Sequence, residues 1–294
     1  MIAVMGATGN TGKAVAERLL GAGKKIKAIG RSREKLRPLL ERGAEAAVGD
    51  GMDPAFLASA FRGAEAAYAM VPADHAQPDL RKYYNRFGES IAEALRRSEV
   101  RRVVFLSSLG AELPEGTGPI VGLHDLEERF KNLSIDLLIL RPGSFYENFY
   151  GSLGLIRQQG INGGAIAPDV PFVMTATQDI GAAAAEELLR DRIRGGTVRE
   201  VLGPRDYSMA EATRILGAKI DKPDLKYVQF PDAEFVKALV GMGFSRGMAE
   251  AFVEMSRAIN ARKYRSLEGR HKGNTMPTTF EAFAERLAAA YRAM

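Results

Sequence analysis

"MIAVMGATGNTGKAV" (residues 1–15) sets a glycine-rich loop between a short apolar run and the start of a helical pattern. A loop of this kind cradles phosphate, and its spacing says which phosphate. A P-loop carries a glycine five residues before its Gly-Lys pair and a hydroxyl directly after it to hold Mg²⁺. Around Gly12–Lys13 those places are filled by Ala7 and Ala14. What remains is Gly6-x-x-Gly9-x-x-Gly12, behind Ile2–Met5 and ahead of Val15, Leu19 and Leu20. Strand, tight turn and helix in this order open a dinucleotide-binding unit. Gly6 permits the turn, Gly9 lets the backbone approach a pyrophosphate, and Gly12 lets the helix pack close to the strand. Thr8, Asn10 and Thr11 complete the loop, with the first helical N–H groups aimed at the anion.

The alternation continues downstream. Short apolar runs at Lys25–Ile29, Ala46–Val48, Ala66–Val71, Arg102–Ser107 and Asp136–Leu140 read as strands. Between them apolar residues recur at helical spacing over Thr11–Leu20, Arg33–Arg42, Pro54–Phe61, Asp79–Arg97 and Leu123–Leu133. Such strands, separated by helices, belong to a parallel sheet covered on both faces. With right-handed crossovers the fold class is α/β, a Rossmann-type doubly wound sheet.

After Pro142 the texture changes. "RQQGINGGAIAP" (157–168) reads as a glycine-rich loop too irregular for the sheet core. "TQDIGAAAAEELLRDR" (177–192) reads as a helix and "REVLG" (199–203) as a short strand. Ser208 and Glu211 stand at capping-box spacing at the head of another helix. Helical segments follow at Asp232–Val240, at Met248–Ala261 and through "TFEAFAERLAAAYRAM" (279–294). The expected organisation is a dinucleotide-binding domain over residues 1–145, to which later segments return. Residues 146–294 would form mainly a smaller α/β lobe above the carboxyl ends of the strands, where such folds bind ligands.

At 294 residues, 46% hydrophobic and 26% charged, the chain has ample core for a large domain plus a lobe. It contains no cysteine, which excludes disulfides, thiolate catalysis and cysteine-ligated metal. No apolar stretch is long enough to cross a bilayer, and the first strand at Ile2 leaves no room for a signal peptide. The expectation is a cytoplasmic protein, monomer or homodimer, without a membrane partner. The net charge is +5 and the pI about 9.3. Basic and acidic residues nonetheless interleave in "REKLRPLLERGAE" (33–45) and "DLEERFK" (125–131), the pattern of solvated helix faces. No nucleic-acid partner is expected. His75, His124 and His271 have no histidine or carboxylate at ligand spacing, so no metal is expected.

The residues after the second strand choose the cofactor. NAD-binding units place an acid about 20 positions past the glycines to accept ribose hydroxyls. "AIGRSREKL" (28–36) instead carries Arg31, with Lys35 one helical turn on. A guanidinium suits a 2′-phosphate, so NADP(H) is the preferred cofactor, with NAD(H) possible. Asp50, closing "VGD" (48–50), either meets the adenine edge or caps the helix ahead of Pro54.

Together these segments resemble the NmrA-like atypical short-chain dehydrogenases, a group that includes NAD(P)H:quinone and triphenylmethane reductases. The resemblance runs nearly end to end. It rests on "GATGNTG" (6–12), "GRSREK" (30–35), "VVFLSSLGA" (103–111), "HDLEE" (124–128), "LRPGSFYENF" (140–149), "TQDIG" (177–181), "LGPRDYSMAEATRIL" (202–216) and "TFEAFAERL" (279–287). It implies that Arg31 and Lys35 grip the 2′-phosphate and that Met70, Val71 and Pro72 line the cofactor. It also implies that Pro142, Gly143, Ser144 and Phe145 lie by the nicotinamide.

One departure matters. Ordinary short-chain dehydrogenases use a serine, a tyrosine and a lysine four residues after it. Ser107 and Ser108 fit the serine's place, Ser107 toward the cofactor and Ser108 toward the substrate. No Tyr-x-x-x-Lys occurs in the chain, and Leu123 stands where relatives keep the lysine. Carbonyl reduction by the usual route is disfavoured. Hydride transfer to a quinone, a cationic dye or another flat electrophilic small molecule does not need the pair. His124 could hydrogen-bond an acceptor oxygen or donate a proton, or it could cap its helix's first turn. Tyr146 and Asn148 are candidate substrate contacts, and Phe149 and Tyr150 candidate lobe packing. The expected function is an NADP(H)-dependent reductase. The alternative is a non-catalytic NADP redox sensor.

Overall fold

Neighbouring residues of each central strand bury on opposite faces, which is what a sheet covered on both sides requires. Ile2 and Val4 pack with Val15, Leu19, Leu36 and Ile180 on one face. Ala3 and Met5 pack with Leu57, Ile91, Leu126 and Phe130 on the other. The computed structural model describes residues 1–192 and 198–294. Its first half alternates strictly: β1 (Ile2–Val4), α1 (Asn10–Gly21), β2 (Ile26–Gly30), α2 (Arg33–Leu40), β3 (Glu45–Val48), α3 (Pro54–Phe61), β4 (Ala66–Ala69), α4 (Leu80–Arg96), β5 (Arg102–Leu106), α5 (Val121–Lys131) and β6 (Asp136–Pro142). The second half runs β7 (Ser144–Phe145), α6 (Leu153–Gln159), β8 (Ile161–Gly164), β9 (Phe172–Thr175), α7 (Thr177–Leu188), β10 (Val198–Val201), β11 (Asp206–Tyr207), α8 (Met209–Lys219), β12 (Lys226–Gln229), α9 (Asp232–Gly241), α10 (Arg246–Asn260) and α11 (Phe280–Ala293).

Seven strands form one parallel sheet in the order β10-β6-β5-β4-β1-β2-β3. Every loop that leaves a carboxyl end therefore emerges along one edge, and the order reverses between β4 and β1. The fold is Rossmann-like α/β. The later segment β10 extends the sheet beside β6, and α7 packs against α1. There a side chain on Gly181 would put its Cβ 2.4 Å from that of Ala14.

A separate core gathers Tyr146, Phe149, Leu153, Tyr207, Leu216, Phe280 and Phe283 from the second half. Two small sheets belong here, β11-β9-β7 and β12-β8. The second corrects the reading of residues 157–168 as irregular loop. They contain the end of α6 and the strand β8, and β8 pairs in parallel with β12. Its glycines make room for rings: a Cβ on Gly163 would fall 2.4 Å from Phe230, and one on Gly164 would fall 3.0 Å from the Tyr227 hydroxyl. No helix among the described residues is long and apolar enough to cross a membrane.

Candidate active site

The glycine loop is built as tightly as its spacing implies. Gly6 has φ +60°, a conformation that disfavours a side chain, and a Cβ there would fall 2.7 Å from Met70 Sδ. A Cβ on Gly12 would fall 2.3 Å from Gly6 O and 2.7 Å from Met5 O, so α1 lies directly on the end of β1. Gly9 is different. Its backbone is extended (φ −92°, ψ 174°), and a Cβ would meet only Gly6 O, at 3.4 Å. Thr8, Gly9 and Asn10 are exposed, while Thr11 and Gly12 are buried.

No side chain caps α1 and no acid stands in its first turn. Among the described residues the N–H groups of Asn10, Thr11 and Gly12 find no acceptor. By contrast, Ser32, Asp53, Asp79, Ser208, Ser245 and Thr279 each accept a backbone N–H at the head of their own helices. Unpaired N–H groups, the positive end of the helix dipole and an open space before Gly9 are the features that fit a pyrophosphate.

Arg31 leaves the end of β2 and Lys35 stands in the first turn of α2, both exposed. Asp50 follows β3. Its carboxylate accepts the N–H of Met52 (2.9 Å), and the cap of α3 is Asp53, which accepts from Ala55 (2.9 Å). Asp50 is therefore no helix cap. Met70 is half-buried over Gly6, Val71 is buried, and the carbonyl of Pro72 accepts the Tyr83 hydroxyl at 2.9 Å. The start of α10 holds the continuation of this strap. Ser245 donates its N–H to His75 O (2.9 Å) and its hydroxyl to Gln77 O (2.6 Å). The His75 ring stacks on Phe244 with centroids 4.3 Å apart.

Beyond β5 and β6 the two chains stay paired. Ser107 donates its N–H to Leu140 O (2.8 Å), and Leu109 donates to Pro142 O (3.0 Å). Ser107 and Ser108 thus lie alongside the segment Pro142–Phe145. The Ser107 hydroxyl donates to Glu127 Oε1 at 2.5 Å. Arg141 grips the same carboxylate through Nε (2.9 Å) and Nη2 (2.5 Å), and reaches Glu112 through Nη1 (3.3 Å). Glu127 and Arg141 are both buried. Burial works against the Arg141 charge, but its bonds to Glu127 together with the charges of Glu127, Glu112 and Glu200 outweigh it and raise its pKa. Nothing in "HDLEE" or "LRPG" singles out either residue, because their pairing exists only once α5 packs on β6.

Ser108 is half-buried, with the Tyr264 phenol beside it. Burial pushes that phenol's pKa up, so it stays protonated. His124, the fourth residue of α5, donates Nδ1–H to Ala111 O at 2.9 Å. A carbonyl can only accept, which fixes the proton on Nδ1 and leaves Nε2 as the free nitrogen of the neutral ring. The bond leaves the helix, so His124 does not cap it.

Pro142 and Gly143 are buried. A Cβ on Gly143 would fall 2.6 Å from a methyl of Val173, so the turn passes hard against β9. Ser144 is half-buried, and its hydroxyl accepts from the exposed Asn148 at 3.3 Å. Phe145 is half-buried against the core of the α1 face. Tyr146 corrects the sequence reading. It is fully buried among Tyr207, Phe280 and Phe283, at centroid distances of 6.1, 5.2 and 5.5 Å, with no surface open to a substrate. Its neighbour Glu147 went unremarked in the sequence. The Glu147 carboxylate accepts the N–H (3.0 Å) and hydroxyl (2.6 Å) of Thr177, capping α7 from outside that helix. Burial raises its pKa despite those bonds.

The profile of the NmrA-like family matches residues 1–284. The chain belongs to the NmrA-like family. It is 26% identical over 262 residues to an NAD(P)H azoreductase of Xenophilus azovorans, covering 87% of this chain and 86% of that one. It is 27% identical over 262 residues to quinone oxidoreductase 2 of Escherichia coli strain K12, covering 86% of each. The crystal structure of an NADPH-dependent quinone oxidoreductase from Escherichia coli complexed with NADPH aligns with a TM-score of 0.79 at 24% identity, over 98% of this chain and 99% of that one. This NmrA-like chain therefore shares the fold of that enzyme across its whole length.

Proposed function

We propose that the protein is an NADP(H)-dependent oxidoreductase that passes a hydride to a quinone-like or other flat electrophilic small molecule. The observation that carries this reading is the open N-terminus of α1 behind Gly9, with Arg31 and Lys35 at the adjacent strand end. The named reductases among its relatives, aligned over most of their length, support an enzyme over a sensor.

Under this reading residues 1–145 hold most of the cofactor and residues 146–294 mainly shape the acceptor's place. The N–H groups of Asn10, Thr11 and Gly12, with Thr8 and the bare Gly9, bind the pyrophosphate. Arg31 and Lys35 bind the 2′-phosphate, and Asp50 the adenine edge. Met70, Val71 and Pro72 form one wall. Ser107 and the turn Pro142, Gly143, Ser144 and Phe145 flank the nicotinamide. When bound, the cofactor supplies the hydride. Ser108, His124 and Asn148 border the acceptor. With Nδ1–H given to Ala111, the neutral His124 ring offers an acceptor at Nε2, and only its imidazolium donates there.

The test is NADPH oxidation against quinones, azo and cationic dyes, and aldehydes, beside a direct NADPH titration. Tight binding with turnover of the flat electrophiles supports the enzyme. Tight binding with no turnover of any acceptor would replace it with the redox sensor.

A further inference from the structure

Ser107 has one proton, and the structure shows where it goes. Its hydroxyl lies 2.5 Å from Glu127 Oε1, within the range of a charge-assisted O–H···O⁻ bond. The acceptor cannot be the donor in disguise. Arg141 holds both oxygens of that carboxylate, Nε on Oε1 and Nη2 on Oε2, and a carboxylate gripped in this way carries no proton to give. The guanidinium is itself set among carboxylates: Glu112 accepts from Nη1, and Glu200 is its register partner on β10. Ser107 and Arg141 lie on the α5-facing side of their strands, directly under Glu127. The Ser107 hydroxyl therefore has lone pairs to offer and no hydrogen.

We propose that Glu127 is a positioning residue that makes Ser107 an obligate hydrogen-bond acceptor for the primary-amide N–H of the nicotinamide ring, resting on the reading that a nicotinamide dinucleotide lies along this edge. The backbone places the oxygen for this task. Ser107 and Leu109 remain paired to Leu140 and Pro142, so Ser107 borders the turn that flanks the ring. An amide is the one group on that ring that brings N–H donors. Ser107 in turn cannot donate to an acceptor's oxygen, which leaves that role to Ser108, His124 or solvent.

The test compares NADP⁺ with its 3-acetylpyridine analogue, in which a methyl replaces the amide NH₂. Calorimetric titration reads binding without turnover. The unmodified protein should bind NADP⁺ tighter than the analogue by roughly tenfold, since the analogue leaves the Ser107 oxygen without its donor. Ser107→Ala should bring the two affinities close together. Glu127→Leu removes the acceptor, frees the Ser107 proton and should also narrow the ratio. Arg31→Ala should weaken both ligands and keep the ratio. If Glu127→Leu does not fold, the double variant Glu127→Leu/Arg141→Met removes the unpaired charge and carries the same expectation. Equal affinity of the unmodified protein for both ligands, or a ratio unchanged in Ser107→Ala, would overturn the proposal. A ratio unchanged in the folded Glu127 variant would overturn the part assigned to Glu127. No binding of NADP⁺ at all would overturn the dinucleotide reading beneath it.

Discussion

A Cβ on Gly12 would stand 2.3 Å from the carbonyl oxygen of Gly6, whereas one on Gly9 would meet that same oxygen at 3.4 Å. The two glycines therefore do different work. Gly12→Ala forces backbone against backbone and should destabilise the fold, by about 1–3 kcal/mol or more. Gly9→Val should fold, because its extended backbone accepts a branched residue, but should lose dinucleotide binding. Thermal unfolding and NADPH titration of both variants check this. A folded Gly9→Val that titrates normally would remove the pyrophosphate from the α1 terminus.

Cofactor choice is expected to rest on Arg31 with Lys35. Both are exposed, so each should contribute at the low end of the ~1.5–3 kcal/mol of a charged hydrogen bond, about tenfold in affinity. The Arg31→Ala/Lys35→Ala variant should lose NADPH affinity and keep most of its NADH affinity. Equal losses for the two cofactors would show that these side chains do not read the 2′-phosphate.

Tyr146 stands next to the Pro142–Phe145 turn in sequence but inside the aromatic core in space. Tyr146→Phe loses hydroxyl contacts inside that core, among them a 3.4 Å bond to Thr278 O, and should leave kcat and KM unchanged. Tyr146→Ala should cost about 3–5 kcal/mol of stability. A change in KM with a stable Tyr146→Phe protein would return the phenol to the acceptor site.

What was legible followed from local rules. The strands, their helices and the glycine loop announce themselves through periodicity and turn chemistry, and Ser208 caps α8 through Glu211 N–H as its spacing implies. Three-dimensional partners were not legible. Glu127 and Arg141 are fourteen residues apart and unremarkable until α5 lies on β6. Tyr264 arrives beside Ser108 from a segment with no motif. Chain proximity to the Pro142–Phe145 turn says nothing of which way the Tyr146 side chain faces. The glycines of β8 were misread because composition alone cannot tell a loop from a strand that carries Phe230 and Tyr227 on its face.

Glu147 gives a pH signature. Burial raises its folded pKa above the ordinary carboxylate value. A carboxyl with a raised folded pKa favours the folded state below its unfolded pKa and loses that contribution as pH rises through the folded value. Glu147→Gln removes the titration and keeps an oxygen for Thr177. The stability of the unmodified protein relative to Glu147→Gln should therefore fall as pH rises from about 4, the ordinary carboxylate value, through the raised folded one. Unfolding curves measured across that window check it, and parallel curves would show that Glu147 titrates as it does in water.

The last expectation concerns chemistry. With no Tyr-x-x-x-Lys in the chain, quinones and flat cationic acceptors should be reduced while simple ketones and aldehydes are not. A quinone gains driving force from its aromatic product, and solvent can protonate its oxygens afterwards. An unactivated carbonyl builds alkoxide charge during transfer and needs a donor already in place. The structure narrows the candidates for that donor. The Ser107 hydroxyl donates to Glu127, and His124 directs its Nδ1–H at Ala111 O. His124→Ala should accordingly slow quinone turnover by well under the ~10²–10⁴-fold of an essential general acid. The Ser108 hydroxyl and the Tyr264 phenol beside it are the remaining groups with a proton to share. Brisk reduction of a simple aldehyde, abolished in Tyr264→Phe, would overturn the expectation and name Tyr264 as the acid.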